Sequence, residues 1–287
     1  MLVAVSGPLR AAEVTLLPIQ DAFVREDEPT RNFGATGALA VAGPEALNGV
    51  GQPQGRFDSM IQFDAAQAVA AFNVQFGVGA WQFTAATLLM QEEGAPGNPI
   101  YNRGSGQFSI AWISDDNWME GDGTPQFVTE GVGNEMTWNY LQSLIGSSAV
   151  SSLGVGTGNG TSGPVSATLN LTPSFLADLN NGAAVTLHLE AITQTLGYTF
   201  FSRDYATTPA FRVALQLTAV AAGGAGDLNC DGIVSPTDIA PFVLALTDPV
   251  AYASNFPACS TTRADLNGDS RVDGLDVQAF VNALTGP

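Results

Sequence analysis

The chain has 287 residues and a net charge of −18, from 27 acidic side chains set against nine arginines and no lysine. A length above the ~100–200 residues usual for one domain suggests a large module plus a small one. Without a basic stripe to displace counterions, nucleic acid is a poor partner, and no apolar run approaches the ~18 residues of a transmembrane helix.

Residues 1–13 read as a possible truncated leader: a short apolar stretch, Met1 to Val5, followed by small residues up to Glu13. From Val14 to Leu217 the pattern is β. Val185-Thr-Leu-His-Leu-Glu190 alternates strictly, as does Phe211 to Leu217, and period two means one buried face and one wet face. Gln107 to Ile113 and Trp81 to Thr84 add strands, with Gly, Pro and Asn clusters between them. Short strands punctuated in this way argue for an antiparallel β-sandwich of jelly-roll type. Leu141 to Gly163, rich in Gly, Ser and Thr, reads as a long exposed connection. Thr172, Pro173 and Gly182 bracket a short helix, Ser174 to Leu179.

Several motifs in this stretch occur in a telling order. They are Asp21-Ala-Phe-Val-Arg25, Asn32-Phe-Gly34, Arg56 to Asp64, Trp118-Met-Glu120, Thr137-Trp-Asn139 and Phe201-Ser-Arg203-Asp204. Together they resemble the DNRLRE family of jelly-roll domains from secreted and surface proteins, some of them carbohydrate-binding. The resemblance implies the fold first and, as in some members, a polysaccharide ligand, for which Trp118, Glu120, Arg25 and Arg203 are the candidate binding residues.

Chemistry has to be argued from side chains. Trp118 sits among polar neighbours and is the tryptophan expected to be partly exposed for stacking on a sugar ring. Asp115, Asp116, Glu120 and Asp122 raise a hydrolase reading, since glycosidases need two carboxylates at a set separation. They equally suit a solvated loop or a second cation site, and no residue is assigned as catalytic. His188, the single histidine, falls on the polar face of its strand and is expected at the surface. Arg25, Arg56 and Arg203 offer forks for a uronate carboxylate or for internal ion pairs.

Thr218 to Ala225 reads as a flexible linker to a module at 226–287. That module says one thing twice. Asp227, Asn229, Asp231, Ser235 and Asp238 place oxygens at loop positions 1, 3, 5, 9 and 12, and Asp265, Asn267, Asp269, Asp273 and Asp276 repeat them thirty-eight positions later. With backbone carbonyls of Ile233 and Arg271 at position 7, each loop has the spacing by which oxygen ligands wrap Ca2+. Apolar stripes follow at i, i+3, i+4 and i+7, Ile239, Phe242, Val243 and Leu246, then Val277, Phe280, Val281 and Leu284, and the two are expected to bury each other. Pro241 lies within the first stripe and is expected to bend or delay its helix. Ser270 stands where the loop usually takes Gly for its positive φ.

A loop followed by a helix, used twice, resembles the dockerin type I module, an all-α, EF-hand-like plug. The resemblance implies two calcium sites, Asp at position 12 and a cohesin-type partner met near loop positions 10 and 11, here Pro236 and Thr237, Gly274 and Leu275. Small modules commonly need staples. Cys230 and Cys259 are expected to form a disulfide in an oxidising, extracellular compartment, the alternative being two unlinked small hydrophobes.

The first expectation is therefore a secreted, non-catalytic, glycan-binding or adhesive sandwich with a calcium-dependent docking module. An alternative is a polysaccharide-degrading hydrolase or lyase carried by the same plug. Another is a purely structural surface protein.

Overall fold

The computed structural model describes residues 11–48, 50–53, 55–78, 81–92, 104–124, 127, 129–257 and 259–285. Most of the leader expected at 1–13 lies outside them. The strands are β1 (Ala12–Leu16), β2 (Pro18–Arg25), β3 (Arg31–Asn32), β4 (Ala38–Ala42), β5 (Phe57–Asp64), β6 (Trp81–Glu92), β7 (Gly106–Ile113), β8 (Thr129–Glu130), β9 (Val150–Gly158), β10 (Gly163–Leu169), β11 (Ala184–Ala191), β12 (Gly197–Phe201) and β13 (Ala214–Ala221). The helices are α1 (Ala66–Phe76), α2 (Trp138–Ser147), α3 (Pro173–Asn181), α4 (Ile239–Thr247), α5 (Pro249–Asn255) and α6 (Asp276–Thr285). Two compact units result. One combines Val14–Val69 with Ala85–Leu217, and the other includes Ala70–Thr84 with Thr218–Pro287. The fold is mainly antiparallel sheet with a helical C-terminus, as the patterning implies.

In the sheet-rich unit the strand order is β6-β12-β4-β5-β11-β7-β9, with β2 also beside β5 and β10 beside β6. β10 also lies against β9, so the strand path doubles back over one core. Leu39, Val41, Ile61, Phe63, Leu187 and Phe200 are fully buried there. β5 is central: Met60 stands opposite Ala22 of β2, and Ile61 opposite Leu187 of β11.

Both faces of β5 and β11 are covered, which corrects the one-wet-face reading of the alternation. Thr186 and His188, on the polar side of β11, are buried. His188 is thus no surface residue, and its Nε2 meets Asp58 Oδ2 at 3.0 Å. The cover over β2, β5 and β7 is a second core, in which Ala22, Val24, Met60 and Ile113 meet Trp118, Met136, Leu141 and Leu144. Leu141 and Leu144 belong to α2, whose N-cap Thr137 accepts a hydrogen bond from the Tyr140 N–H at 3.1 Å. Their spacing puts both on one helical face.

Leu141 to Gly163 is therefore α2 and β9 rather than an exposed connection. The small residues of β9 have a steric reason, since a Cβ on Gly156 would stand 2.2 Å from the Phe108 ring. α3 begins with Pro173 after Thr172 and ends on Gly182 at φ 63°, as its brackets imply. Thr172 makes no side-chain cap bond and instead accepts from Ser151 Oγ at 3.1 Å.

The C-terminal unit differs from expectation in three ways. β13 runs on to Ala221, so little of 218–225 is left as linker. A further helix, α5, stands between the repeats. The stripes are only half buried: Phe242 and Phe280 stack at 4.1 Å in the core with Leu228, Ala245 and Tyr252, whereas Ile239, Val243, Val277 and Val281 are exposed. Pro241 costs α4 nothing, because the first turn of a helix has unpaired N–H groups in any case. Cys230 and Cys259 are joined in a disulfide.

Candidate functional site

The two twelve-residue loops are built alike. Asp238 Oδ1 accepts the N–H groups of Leu228 (2.8 Å) and Asn229 (2.9 Å), and its Oδ2 accepts that of Ser235 (2.9 Å). Asp276 does the same with Leu266 (2.8 Å), Asn267 (3.1 Å) and Asp273 (3.0 Å). The position-12 aspartates thus close each loop on its own backbone. Burial pushes the Asp276 carboxyl up, but the three N–H groups outweigh it and hold the group below its ordinary range. Three bonds leave part of a carboxylate's four lone-pair sites available.

Positions 4 and 6 of both loops have left-handed backbone: Cys230 and Gly232 at φ 60° and 88°, Gly268 and Ser270 at 77° and 67°. Each loop meets this demand with one glycine and one ordinary residue, in opposite order. A side chain in that region costs about 1–2 kcal/mol. Ser270→Gly is expected to stabilise the C-terminal unit by about 1 kcal/mol in thermal unfolding. No gain would mean that the serine hydroxyl compensates the strain.

At position 1 the loops differ. Asp265 gives both oxygens to loop N–H groups, those of Gly268, Asp269 and Ser270. Asp227 receives the Gly232 N–H on Oδ2 at 3.0 Å, and Arg263 Nη1 reaches the same oxygen at 3.0 Å. Its Oδ1 is buried without a hydrogen-bond partner. Burial raises the Asp227 carboxyl, opposed by Arg263. A buried carboxylate oxygen facing no donor is of the chemistry that suits a hard cation. Among the described residues, however, no group of three or more His, Cys, Asp or Glu side chains stands arranged as a metal site.

Pro236, Thr237, Gly274 and Leu275 are all exposed. Ile239 and Val243 follow the first pair, and Val277 and Val281 follow the second at the same repeat positions. The module therefore presents a duplicated apolar pair beside each loop, which periodicity alone had assigned to the core.

In the sheet-rich unit, the family-like motifs meet in one structural knot. Asn32 Nδ2 donates to the carbonyls of Glu120 (2.6 Å) and Met136 (3.0 Å), while its Oδ1 accepts from the N–H groups of Gly34 (3.1 Å) and Gly123 (2.9 Å). Gly34 is required there, because a Cβ would stand 1.9 Å from the Glu120 carbonyl oxygen. Arg203 grips both oxygens of Glu120, with Nη2 at 2.6 Å from Oε2, and its backbone N–H reaches Asp21 Oδ2 at 2.8 Å. Arg25 pairs with Asp27 and Glu28, and Arg56 with Glu190.

Trp118 is 2 % exposed, so its expected availability for sugar stacking is overturned. Its Nε1 donates to Thr186 Oγ1 at 3.1 Å, and that hydroxyl donates to Asp116 Oδ1 at 2.7 Å. Of the polar residues around Trp118 in sequence, Asp116 and Glu120 face internal partners while Asn117 and Asp122 are exposed, so their polarity did not mark the exposure of the tryptophan between them. Glu120 and Arg203 likewise engage each other, and Arg25 its own neighbours.

Burial drives the Asp21 carboxyl well above its ordinary 3.8, the Arg203 N–H opposing and the Glu120 and Asp204 charges adding. Burial also raises Glu120 despite Arg203. A raised carboxyl binds its proton more tightly when folded. The resulting stability is present at low pH and falls as pH climbs from about 4 through the raised value. Asp21→Asn is expected to flatten that fall, measured as unfolding free energy against pH, and an unaltered slope would count against the assignment.

Twin cation-type loops, each followed by a helix and pinned by one disulfide, define a small EF-hand-like docking module. Residues 225–285 match the family model described as the Dockerin type I domain, and the C-terminal module is of that type. The match does not extend to the sheet-rich unit. No curated protein matches the chain. Among solved structures it is similar, at 12% identity, to the stem and receptor binding domain of the spike protein P1 from bacteriophage PM2. That alignment covers 75% of this chain and 98% of the other with a TM-score of 0.15, too low to carry an argument.

Proposed function

We propose that this chain is a non-catalytic assembly component outside the cell, whose dockerin module binds a cohesin-type domain when loaded with two Ca2+ ions. Asp227, Asn229, Asp231, Ser235 and Asp238 would hold one ion with the Ile233 carbonyl. Asp265, Asn267, Asp269, Asp273 and Asp276 would hold the other with that of Arg271. Calcium supplies the charge that lets these oxygens share one centre, and the chain's own work is to fix the loops and present the helices beside them.

The observation that carries the reading is the repetition of both parts together: the same position-12 clamp, and the same exposed pair, Ile239 and Val243 or Val277 and Val281, next to it. Exposed β-branched pairs flanked by Thr237 and Leu275 suit a partner face that is flat and partly apolar. The disulfide supports an oxidising compartment. The sheet-rich unit, resembling the DNRLRE family, is the cargo, and we read it as glycan-binding or adhesive.

The test is retention of the full chain on a panel of immobilised type I cohesin domains. Retention is expected in calcium and lost in chelator. Val243→Asp and Val281→Asp should each weaken it, and the double variant abolish it. Failure to bind any cohesin of the panel in calcium, by protein whose C-terminal unit melts cooperatively, would overturn the reading.

A further inference from the structure

The arginines that offered forks for a uronate or for internal ion pairs are all committed to internal pairs. Arg25, Arg56 and Arg203 have acidic partners, and so does Arg31, which pairs with Glu28. Among the described residues of the sheet-rich unit, Arg212 alone lacks a carboxylate. Its Nε donates to the Tyr205 carbonyl at 3.0 Å, which fixes the side chain and leaves both Nη groups at the free end of the fork. The anchor is itself held, because Tyr205 stacks on Phe201 at 4.0 Å and Phe201 on Phe211 at 5.8 Å.

Arg212 lines an open cleft of about 350 Å³, between the outer face of the β6/β10 pair and the turn Pro209–Phe211. This lies within the ~300–1,000 Å³ range of small-ligand sites. Leu89 and Phe211 supply apolar wall, and Phe211 is 40% exposed. Gln91 and Ser166 line it as well, and among the described residues neither side chain has a hydrogen-bond partner. An unneutralised cation, an exposed ring and two idle polar side chains thus share one recess, and among the described residues no acidic side chain lines it.

We propose that this cleft binds a sugar carrying a single carboxylate, a uronate within an otherwise neutral glycan. The fork of Arg212 takes the carboxylate in two parallel hydrogen bonds, Phe211 lies against the apolar face of a ring, and Gln91 and Ser166 meet hydroxyls. Net charge argues for one carboxylate rather than many. A chain at −18 repels a polyanion over a Debye length, whereas a single carboxylate brings one charge that meets the arginine at contact distance. The proposal rests on the glycan-binding reading of the sheet-rich unit and sharpens it.

The experiment is calorimetric titration of the full calcium-loaded chain. The probes are xylo-oligosaccharides bearing one glucuronate branch, galacto-oligosaccharides bearing one galacturonate, the same oligosaccharides without the acid, and polygalacturonate. Binding of an acid-bearing probe about ten- to a hundredfold tighter than its neutral twin is expected, as for a hydrogen-bonded charge. Arg212→Gln should abolish that difference, Arg212→Lys restore part of it, and Phe211→Ala weaken acid-bearing and neutral probes alike. Equal binding of both kinds, indifferent to Arg212→Gln, would overturn the uronate assignment and leave the glycan reading standing. Absence of binding to every acid-bearing probe would overturn it too, and titration with a neutral glycan panel on the same protein then decides the broader reading. Polygalacturonate as the tightest ligand would refute the single-carboxylate argument.

Discussion

Replacing Trp118 by alanine is expected to cost about 3–5 kcal/mol of unfolding free energy, the range for deleting a buried aromatic side chain. The ring is enclosed by Met60, Met136, Leu141 and Leu144, so truncation leaves a void between the sheet and the segment that covers it. Thr186 loses the indole N–H, although it keeps its bond to Asp116. Trp118→Phe separates the two effects: it keeps most of the apolar volume and gives up one hydrogen bond, worth about 1 kcal/mol. Denaturant unfolding of both variants checks this. A surface tryptophan gives changes within about 0.5 kcal/mol, and such a value for Trp118→Ala would return the residue to the role of a sugar platform.

The same covering segment explains where sequence reasoning stopped. On β5 and β11 the faces carrying Asp58 and Gln62, or Thr186 and His188, have the chemistry of a wet surface. They are dry because the polar groups satisfy each other across the sheet: Gln62 Nε2 donates to Thr186 Oγ1 at 3.1 Å, and His188 meets Asp58. The partners are 124 and 130 positions apart, so no local period reveals them. α2 hid for another reason, since Ser and Gly near its end made the stretch look like a turn-rich connection, and only Leu141 with Leu144 showed a helical face.

The C-terminal module was legible because its loop pattern repeats in register whatever surrounds it, and the family match at 225–285 covers both copies. The stripes were less so, since a period places residues on a face without saying whether another element covers it. Phe242 and Phe280 find each other; Ile239 and Val277 do not. The motif residues Asp21, Asn32, Glu120 and Arg203 were visible in sequence, yet their role as a mutual clamp depends on β2 and β3 meeting the distant segments that carry Glu120 and Arg203. Arg212 had no local signal. Its distinction is that it has no acidic partner among the described residues, which only three-dimensional placement discloses.

Removing calcium is expected to lower the stability of the C-terminal unit by about 5 kcal/mol, since a ligand held at a hundredfold excess over its Kd adds about 2.7 kcal/mol per site. Residues 226–287 carry eight aspartates against two arginines, and seven of those aspartates lie in the two loops. Unscreened, they repel at close range, and the core beneath them is thin. Against this stand the backbone clamps of Asp238 and Asp276 and the disulfide, none of which needs a metal. The prediction is thus loss of stability rather than loss of every contact: in calorimetry with chelator one transition moves down steeply while that of the sheet-rich unit stays in place. Asp265→Ala and Asp227→Ala should each shift the first transition in calcium, and Asp227→Ala further, because it also strips Arg263 of its carboxylate partner. If chelator moves neither transition, these loops hold themselves together by hydrogen bonds alone, and the repeated aspartates have to be explained by something other than a cation.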